Sequence, residues 1–299
     1  MEDTEPVSTF RAWIMAVRPR TLPASVAPVA VGTAAAYHDG ALAVLPALAA
    51  FAVSLLLQVG VNLANDYFDY TGGIDAIDRL GPTRVTQSGL IAPERVKAGM
   101  ACVFGLAALV GLYLVFVGGV PILLVGIASI IAALAYSGGP YPLASHGLGD
   151  PFVFIFFGLV AVCGTYYVQA LGLAPAALFS AIPPGLLITA ILVVNNLRDI
   201  HTDRQSGKRT LAVILGVGGS RAEYAALLAA SYAAVLLMWL FGLFGPWVLL
   251  PLLSCVMAWK TLSIVLNESG RVLNEALAET ARLALVFSLL FSLGIVLSA

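Results

Sequence analysis

Nine long apolar stretches set what this chain can fold into. They run over residues 21–37, 42–64, 95–117, 121–136, 152–171, 174–195, 221–243, 247–266 and 273–297. A soluble protein carries roughly 25% charged residues. Here Asp, Glu, Lys and Arg make up 10% and apolar residues 60%. Apolar runs of this length match the hydrocarbon core of a bilayer. The expected fold is therefore all-α: a polytopic membrane protein of about nine transmembrane helices around a central cavity. Several runs contain Pro or Gly, which membrane helices tolerate. Pro183, Pro184 and Gly185 should kink the sixth.

The connections alternate in charge. Those after runs 1, 3, 5 and 7 are short, near residues 38–40, 118–120, 172–173 and 244–246, and contain no Lys or Arg. Apart from Lys260 inside run 8 and Arg282 inside run 9, every Lys and Arg lies in or beside the N-terminal segment or the connections after runs 2, 4, 6 and 8, of which the one after run 4 holds none itself. The positive-inside rule places that set in the cytoplasm together with the N-terminus, and the C-terminus outside. The expected location is the cell inner or plasma membrane. Residues 8–19 read as an interfacial helix, with Trp13 and Met15 offering apolar area and Arg11 and Arg18 facing headgroups. The acidic opening MEDTEPVSTF lacks the basic start of a secretory signal peptide. A net charge of −1 points to no nucleic-acid partner. The three cysteines, Cys102, Cys163 and Cys255, fall inside apolar runs without CxxC spacing, and read as buried small hydrophobes rather than disulfides or zinc ligands.

The charges that remain are concentrated. The segment NLANDYFDYTGGIDAID, residues 62–78, holds Asp66, Asp69, Asp75 and Asp78 where the second run ends. Asn62, Asp66 and Asp69 are spaced i, i+4, i+7 and share a helical face. The sixth run ends in NNLRDIHTDRQSGKRTL, where Asn195, Asp199 and Asp203 are spaced i, i+4, i+8. Four crossings separate the two clusters, so both open on the same side. Aligned carboxylates repel one another and need a counter-charge. A lone acidic pair is usually a solvated loop. Two pairs on one side, each followed by a basic loop, point instead to a magnesium–diphosphate site. Magnesium takes one or two carboxylates and fills its remaining positions with water and substrate phosphate. Arg84, Arg198, Lys208 and Arg209 supply cations for phosphate oxygens. Such a site suits ionisation of an allylic C–O bond, with Tyr67, Phe68, Tyr136 and Tyr141 as candidate aromatic faces for the carbocation. The shared Asn–x–x–x–Asp spacing also suggests two four-helix halves, about 20–140 and 150–270, in one domain, with a ninth helix at 273–297 appended.

Four passages then resemble the UbiA superfamily of intramembrane aromatic prenyltransferases. They are RPRTLPASVAPVAVGTA at 18–34, NDYFDYTGGID at 65–75, GPTRVTQSGLI at 81–91 and NNLRDIHTDRQSGKRTL at 195–211. The resemblance is greatest to the branch that serves menaquinone synthesis. It implies two magnesium ions, a polyprenyl diphosphate donor, 1,4-dihydroxy-2-naphthoate as acceptor, membrane lipid as surroundings, and prenylation coupled to loss of carbon dioxide. By motif position it implies Asn62, Asp66 and Asp69 on one ion and Asp199 and Asp203 on the other. Asp75 is implied as a catalytic residue that binds metal through water or helps deprotonate the acceptor. Arg18, Arg20, Asn65, Arg84, Tyr136, Asn195, Arg198 and Lys208 complete the implied substrate-binding set. Taken alone, Arg18 and Arg20 read more readily as positive-inside anchors, as do Arg79, Arg95, Lys97 and Arg282.

Hydroxybenzoate, or a phytyl group on naphthoate or homogentisate, remains open as an alternative chemistry within the same superfamily. A secondary transporter would place its polar site near mid-bilayer, whereas nearly all charge here is at one face. A CDP-alcohol phosphotransferase would carry a DG-x2-AR type motif, which this sequence lacks.

Overall fold

The computed structural model describes residues 7–73, 80–81 and 84–299, and among them every regular element is helical. Asp75, Asp78 and Arg79 lie outside the described residues. In chain order the helices are α1 (Thr9–Val17), α2 (Pro23–His38), α3 (Val44–Thr71), α4 (Pro93–Gly118) and α5 (Val120–Ser137). They continue with α6 (Gly149–Ala170), α7 (Pro175–Arg198), α8 (Ile200–Gln205), α9 (Leu211–Leu240), α10 (Pro246–Asn267) and α11 (Leu273–Val296).

Eight helices among the described residues are long and apolar enough to cross a bilayer; α2, with 16 residues, is shorter. Its start is set by proline chemistry. Pro19–Thr21 winds as a single 3-10 turn, and α2 begins at Pro23, where a missing N–H costs nothing. The second apolar run continues as helix through Thr71, beyond its expected end at 64, so Asp66 and Asp69 sit within α3 rather than after it. In the sixth run the helix is interrupted at Ala181, just before Pro183. In α6, residues Phe154–Val160 widen into a π-helix.

Packing forms two main apolar cores. One joins α1, α3, α4 and α5 to the 84–91 turn through Leu63, Val85, Val96 and Phe104. The other gathers α2, α6, α7, α9, α10 and α11 around Tyr224, Leu283, Phe287 and Phe291. Small residues let the backbones approach closely, as membrane helices require. A Cβ on Gly32 of α2 would lie 2.5 Å from the Val162 carbonyl oxygen. One on Gly158 would lie 2.9 Å from Gly185 Cα, so α6 and α7 touch backbone to backbone at the proline-rich break. α11 is integral to the second core, with Leu283, Phe287, Phe291 and Ile295 fully buried. Cys102 and Cys255 differ from expectation: both lie on the outer face, where an apolar thiol meets lipid as readily as core.

The connections gather at two ends. At one end Asp39 accepts a hydrogen bond from the Tyr166 hydroxyl at 2.6 Å, the His38 ring meets Phe244 edge-on, and Ser298 donates to the Gly245 carbonyl. The other end holds both acidic segments.

Candidate active site

α3 presents Gln58, Asn62, Asn65 and Asp69 to a cavity of about 970 Å³ between the two cores. Asp66 is turned away from it. One helical position past Asn65 rotates a side chain by about 100°, which aims Asp66 at the turn that follows residue 83. There its two oxygens accept from the backbone N–H groups of Val85 at 3.2 Å and Thr86 at 3.0 Å, and it is 1% exposed. The turn closes through Ser88 N–H to the Arg84 carbonyl and Ile91 N–H to the Val85 carbonyl, with Gly89 at φ 71°. This geometry sends the Arg84 side chain to Asp69, which it meets in a short, buried ion pair. Lys208, from beyond α8, reaches the same carboxylate at 3.5 Å.

Asn62 clamps the entry of the chain. Its amide nitrogen donates to the Val17 carbonyl at 2.8 Å and the Thr21 hydroxyl at 2.9 Å, and its oxygen accepts from Gln58. The clamp secures Arg18 in the left-handed region at φ 53°, a conformation that costs a non-glycine residue about 1 kcal/mol or more. Arg18 thereby stands 3.9 Å from Asp66 and lines the cavity, as does the exposed Arg20. Asn65 accepts from the Ser137 hydroxyl and ties α3 to the end of α5, next to Tyr136.

The second cluster sits at a helix joint. α7 ends at Arg198, Asp199 has non-helical backbone (φ −94°, ψ 7°), and α8 restarts at Ile200. Arg198, 2% exposed, donates to Asp199 through Nε at 2.9 Å and Nη2 at 2.5 Å, and to Asn195 through Nη2 at 2.9 Å. The Asp203 N–H donates to the Asp199 carbonyl, and the Lys208 N–H donates to the Asp203 carbonyl. That compact loop is what delivers Lys208 to Asp69.

One cavity wall therefore collects Arg18, Arg20, Asn62, Asn65, Asp69, Arg84, Tyr136, Asn195, Arg198, Asp199, Asp203 and Lys208. Asp66 stands just behind it. Among the other residues singled out, Arg209 is exposed and holds the 138–148 loop through its N–H to the Ser145 carbonyl, and Tyr141 stacks on His146. Tyr67 and Phe68 pack into the first core. The floor is apolar, with Leu112, Ile127, Phe152, Phe156 and Phe157. Polar residues that the sequence did not single out also reach the wall: Thr21 and Thr202 within the quoted passages, and Ser137 and Asn274 outside them. Asn274 opens the last apolar run, and only its polarity at that position marks it in the sequence. Asp150 is buried at the start of α6, and among the described residues neither of its oxygens meets a hydrogen-bond donor.

The UbiA prenyltransferase family matches this chain over residues 25–297. The chain belongs to the UbiA prenyltransferase family. The 1,4-dihydroxy-2-naphthoate octaprenyltransferase of Escherichia coli strain K12 is 42% identical, over 98% of this chain and 97% of its own length. A UbiA homologue from Aeropyrum pernix K1, solved in its apo form, superposes with a TM-score of 0.71 at 18% identity, covering 94% of this chain and 98% of that one. A UbiA homologue from Archaeoglobus fulgidus, solved bound to GPP and Mg2+, superposes with a TM-score of 0.66 at 14% identity, covering 95% and 99%. These UbiA structures establish the shared fold. Like its relatives, this UbiA protein is a multi-pass membrane protein, and both acidic segments of its sequence lie inside the matched region.

Proposed function

We propose that this chain transfers a polyprenyl group from polyprenyl diphosphate to 1,4-dihydroxy-2-naphthoate, releasing carbon dioxide and diphosphate. The observation that carries this reading is a pair of acidic clusters at the mouth of one apolar cavity, in a chain 42% identical to an enzyme of that activity. The apolar floor suits a prenyl tail. The charged wall suits a diphosphate.

The donor set fits magnesium. Asp69, Asp199 and Asp203 offer hard carboxylate oxygens around one cavity. Magnesium takes one or two carboxylates and completes its shell with water and phosphate, so it does not require all three at once. Asn62 and Asp66 are the other two ligands that motif position implies, and their oxygens are committed to Gln58 and to the 84–88 turn, so the direct ligands proposed for this arrangement are Asp69, Asp199 and Asp203. Magnesium held by these three would neutralise charge on the departing diphosphate.

Arg84 and Lys208 donate to diphosphate oxygens as the allylic C–O bond breaks, and the bonding pair stays on the diphosphate. Arg18 and Arg20, at the entry, hold the outer oxygens of donor or acceptor. The Tyr136 ring faces the allylic cation. The acceptor ring supplies the electron pair of the new C–C bond. Its carboxylate leaves as carbon dioxide and returns a pair to the ring, so the product is demethylmenaquinone at the quinol level. Asp75 remains part of the proposed catalytic set.

We also infer that the acidic mouth faces the cytoplasm of an inner or plasma membrane, because the basic connections share that end. The chain forms one prenyltransferase domain, with α3 and α7 as the equivalent acid-bearing helices of its two halves. A reporter fused after residue 299 should read out on the far side; a cytoplasmic signal there would reverse the orientation.

The decisive experiment incubates purified protein with labelled polyprenyl diphosphate and a panel of aromatic acids, with and without magnesium. Prenylated naphthalenediol and carbon dioxide should appear only with magnesium and dihydroxynaphthoate. Prenylation of hydroxybenzoate alone would overturn the acceptor assignment.

A further inference from the structure

We infer that Asn274, at the start of α11, is a positioning residue that clasps the two acidic walls together during turnover; this rests on the prenyl-transfer reading above. Two of the links across the mouth differ in kind. The first is ionic, Lys208 to Asp69 at 3.5 Å. The second is neutral. The Asn274 oxygen accepts from Arg198 Nη1 at 2.8 Å, and its nitrogen donates to the Leu80 carbonyl at 3.0 Å. Each partner dictates one half of the amide. Arg198 is donor only, and a backbone carbonyl is acceptor only, so one orientation of Asn274 satisfies both and no apolar or charged side chain of that size does.

The two links respond differently to substrate. A magnesium-bound diphosphate competes for both ends of the ionic link: the metal for Asp69, the phosphate for Lys208. As the site fills, that bridge opens. A metal at Asp199 competes with Arg198 Nε and Nη2, whereas the neutral Asn274 amide is held by Arg198 Nη1, which Asp199 does not use, and by a main-chain carbonyl. The amide link therefore keeps Leu80, four positions before Arg84 in the chain, in register with Asp199 while the ionic bridge is exchanged for ligand. Asn274 itself lines the cavity, and α11 is anchored in the second core by Leu283 and Phe287, so the clasp is mounted on a rigid element.

The experiment uses the full-length protein in nanodiscs and two readouts: amide hydrogen exchange over residues 80–91, and steady-state kinetics. In the parent, magnesium with inorganic diphosphate should slow exchange across 80–91. In Asn274→Ala that protection should be lost, and KM for polyprenyl diphosphate should rise roughly tenfold, the scale of a hydrogen bond to a charged group. KM for the naphthoate should stay within about twofold. Asn274→Gln, which retains donor and acceptor, should recover part of both effects. If Asn274→Ala does not insert, Asn274→Asp keeps the acceptor for Arg198, lacks the donor for Leu80, and serves for both readouts. Faster exchange confined to residues 273–280, or unchanged KM for the diphosphate, would overturn the clasp and leave Asn274 a local helix residue. A parent that ignores dihydroxynaphthoate would sink the acceptor reading instead. The clasp would then stand or fall on the magnesium–diphosphate protection of 80–91 alone.

Discussion

The two acidic clusters share one spacing and are held in opposite ways. In α3, Asn62 and Asp66 lie within an unbroken helix and are engaged away from the second cluster: Asn62 by the Val17 carbonyl, Thr21 and Gln58, Asp66 by the N–H groups of Val85 and Thr86. In α7, Asn195 precedes a joint, and the Asp199 carboxylate is paired to its chain neighbour Arg198. The first cluster builds the shape of the mouth: Asp66 supports the turn, and Asp69 faces the cavity. The second places Asp199 and Asp203 directly on the wall. Equal spacing in a sequence thus does not give equal duty, because a buried carboxylate goes where unsatisfied N–H groups are.

The largest test of that contrast is Asp199→Asn. It retains size and removes a charge at the cavity wall, so kcat should fall roughly a hundredfold or more, in part recovered at high magnesium. The melting temperature should drop as well, because one amide oxygen cannot serve both Arg198 donors and the buried guanidinium loses its carboxylate. Asp69→Asn should match it, with part of the loss recovered at high magnesium. A near-parental rate in both, at limiting magnesium, would remove the proposed metal site.

Asp66→Asn should differ in kind. An amide has one oxygen for two backbone donors, so one buried N–H loses its partner, at a cost of about 1–3 kcal/mol of stability. The melting temperature should drop, and turnover should fall through a displaced Arg84, without recovery at high magnesium. An Asp66→Asn protein as inactive as Asp199→Asn but of parental stability would show that Asp66 leaves its turn to bind metal, and the contrast between the clusters would collapse.

Smaller still is Lys208→Gln. It removes the ionic link to Asp69 and one phosphate donor, so KM for the diphosphate should rise about tenfold with a lesser change in kcat. Arg95→Gln, in the first turn of α4 away from both clusters, should leave kcat and KM within about twofold; a tenfold loss would mean that the charge of the whole face, rather than the named residues, holds the substrate.

Much of the site was legible because charge is rare in this chain. Acids and bases among apolar runs stand out by cost alone, and helical spacing assigned them to a face. Spacing could not separate adjacent positions on a crowded helix. Asn65 and Asp66 differ by one step, and the 84–88 turn decides which of them faces the cavity. The register of that face came from the tertiary structure. Asn274 was missed for a similar reason: a lone polar residue opening an apolar run has no periodic partner, and its two partners, Leu80 and Arg198, are distant in sequence.

By itself the sequence determined the number and order of the apolar helices, the end of the molecule that carries charge, and the residue types available there. Each is a consequence of local composition against the cost of placing charge in hydrocarbon. Only the tertiary structure decided that the alanine-rich α2 packs with the second core, that Asp66 supports a turn while Asp69 faces the cavity, and that the last helix joins the two acidic walls. Those outcomes depend on which buried donors and acceptors meet across long stretches of chain, and a hydrogen bond between distant residues leaves no periodic trace in the order of amino acids.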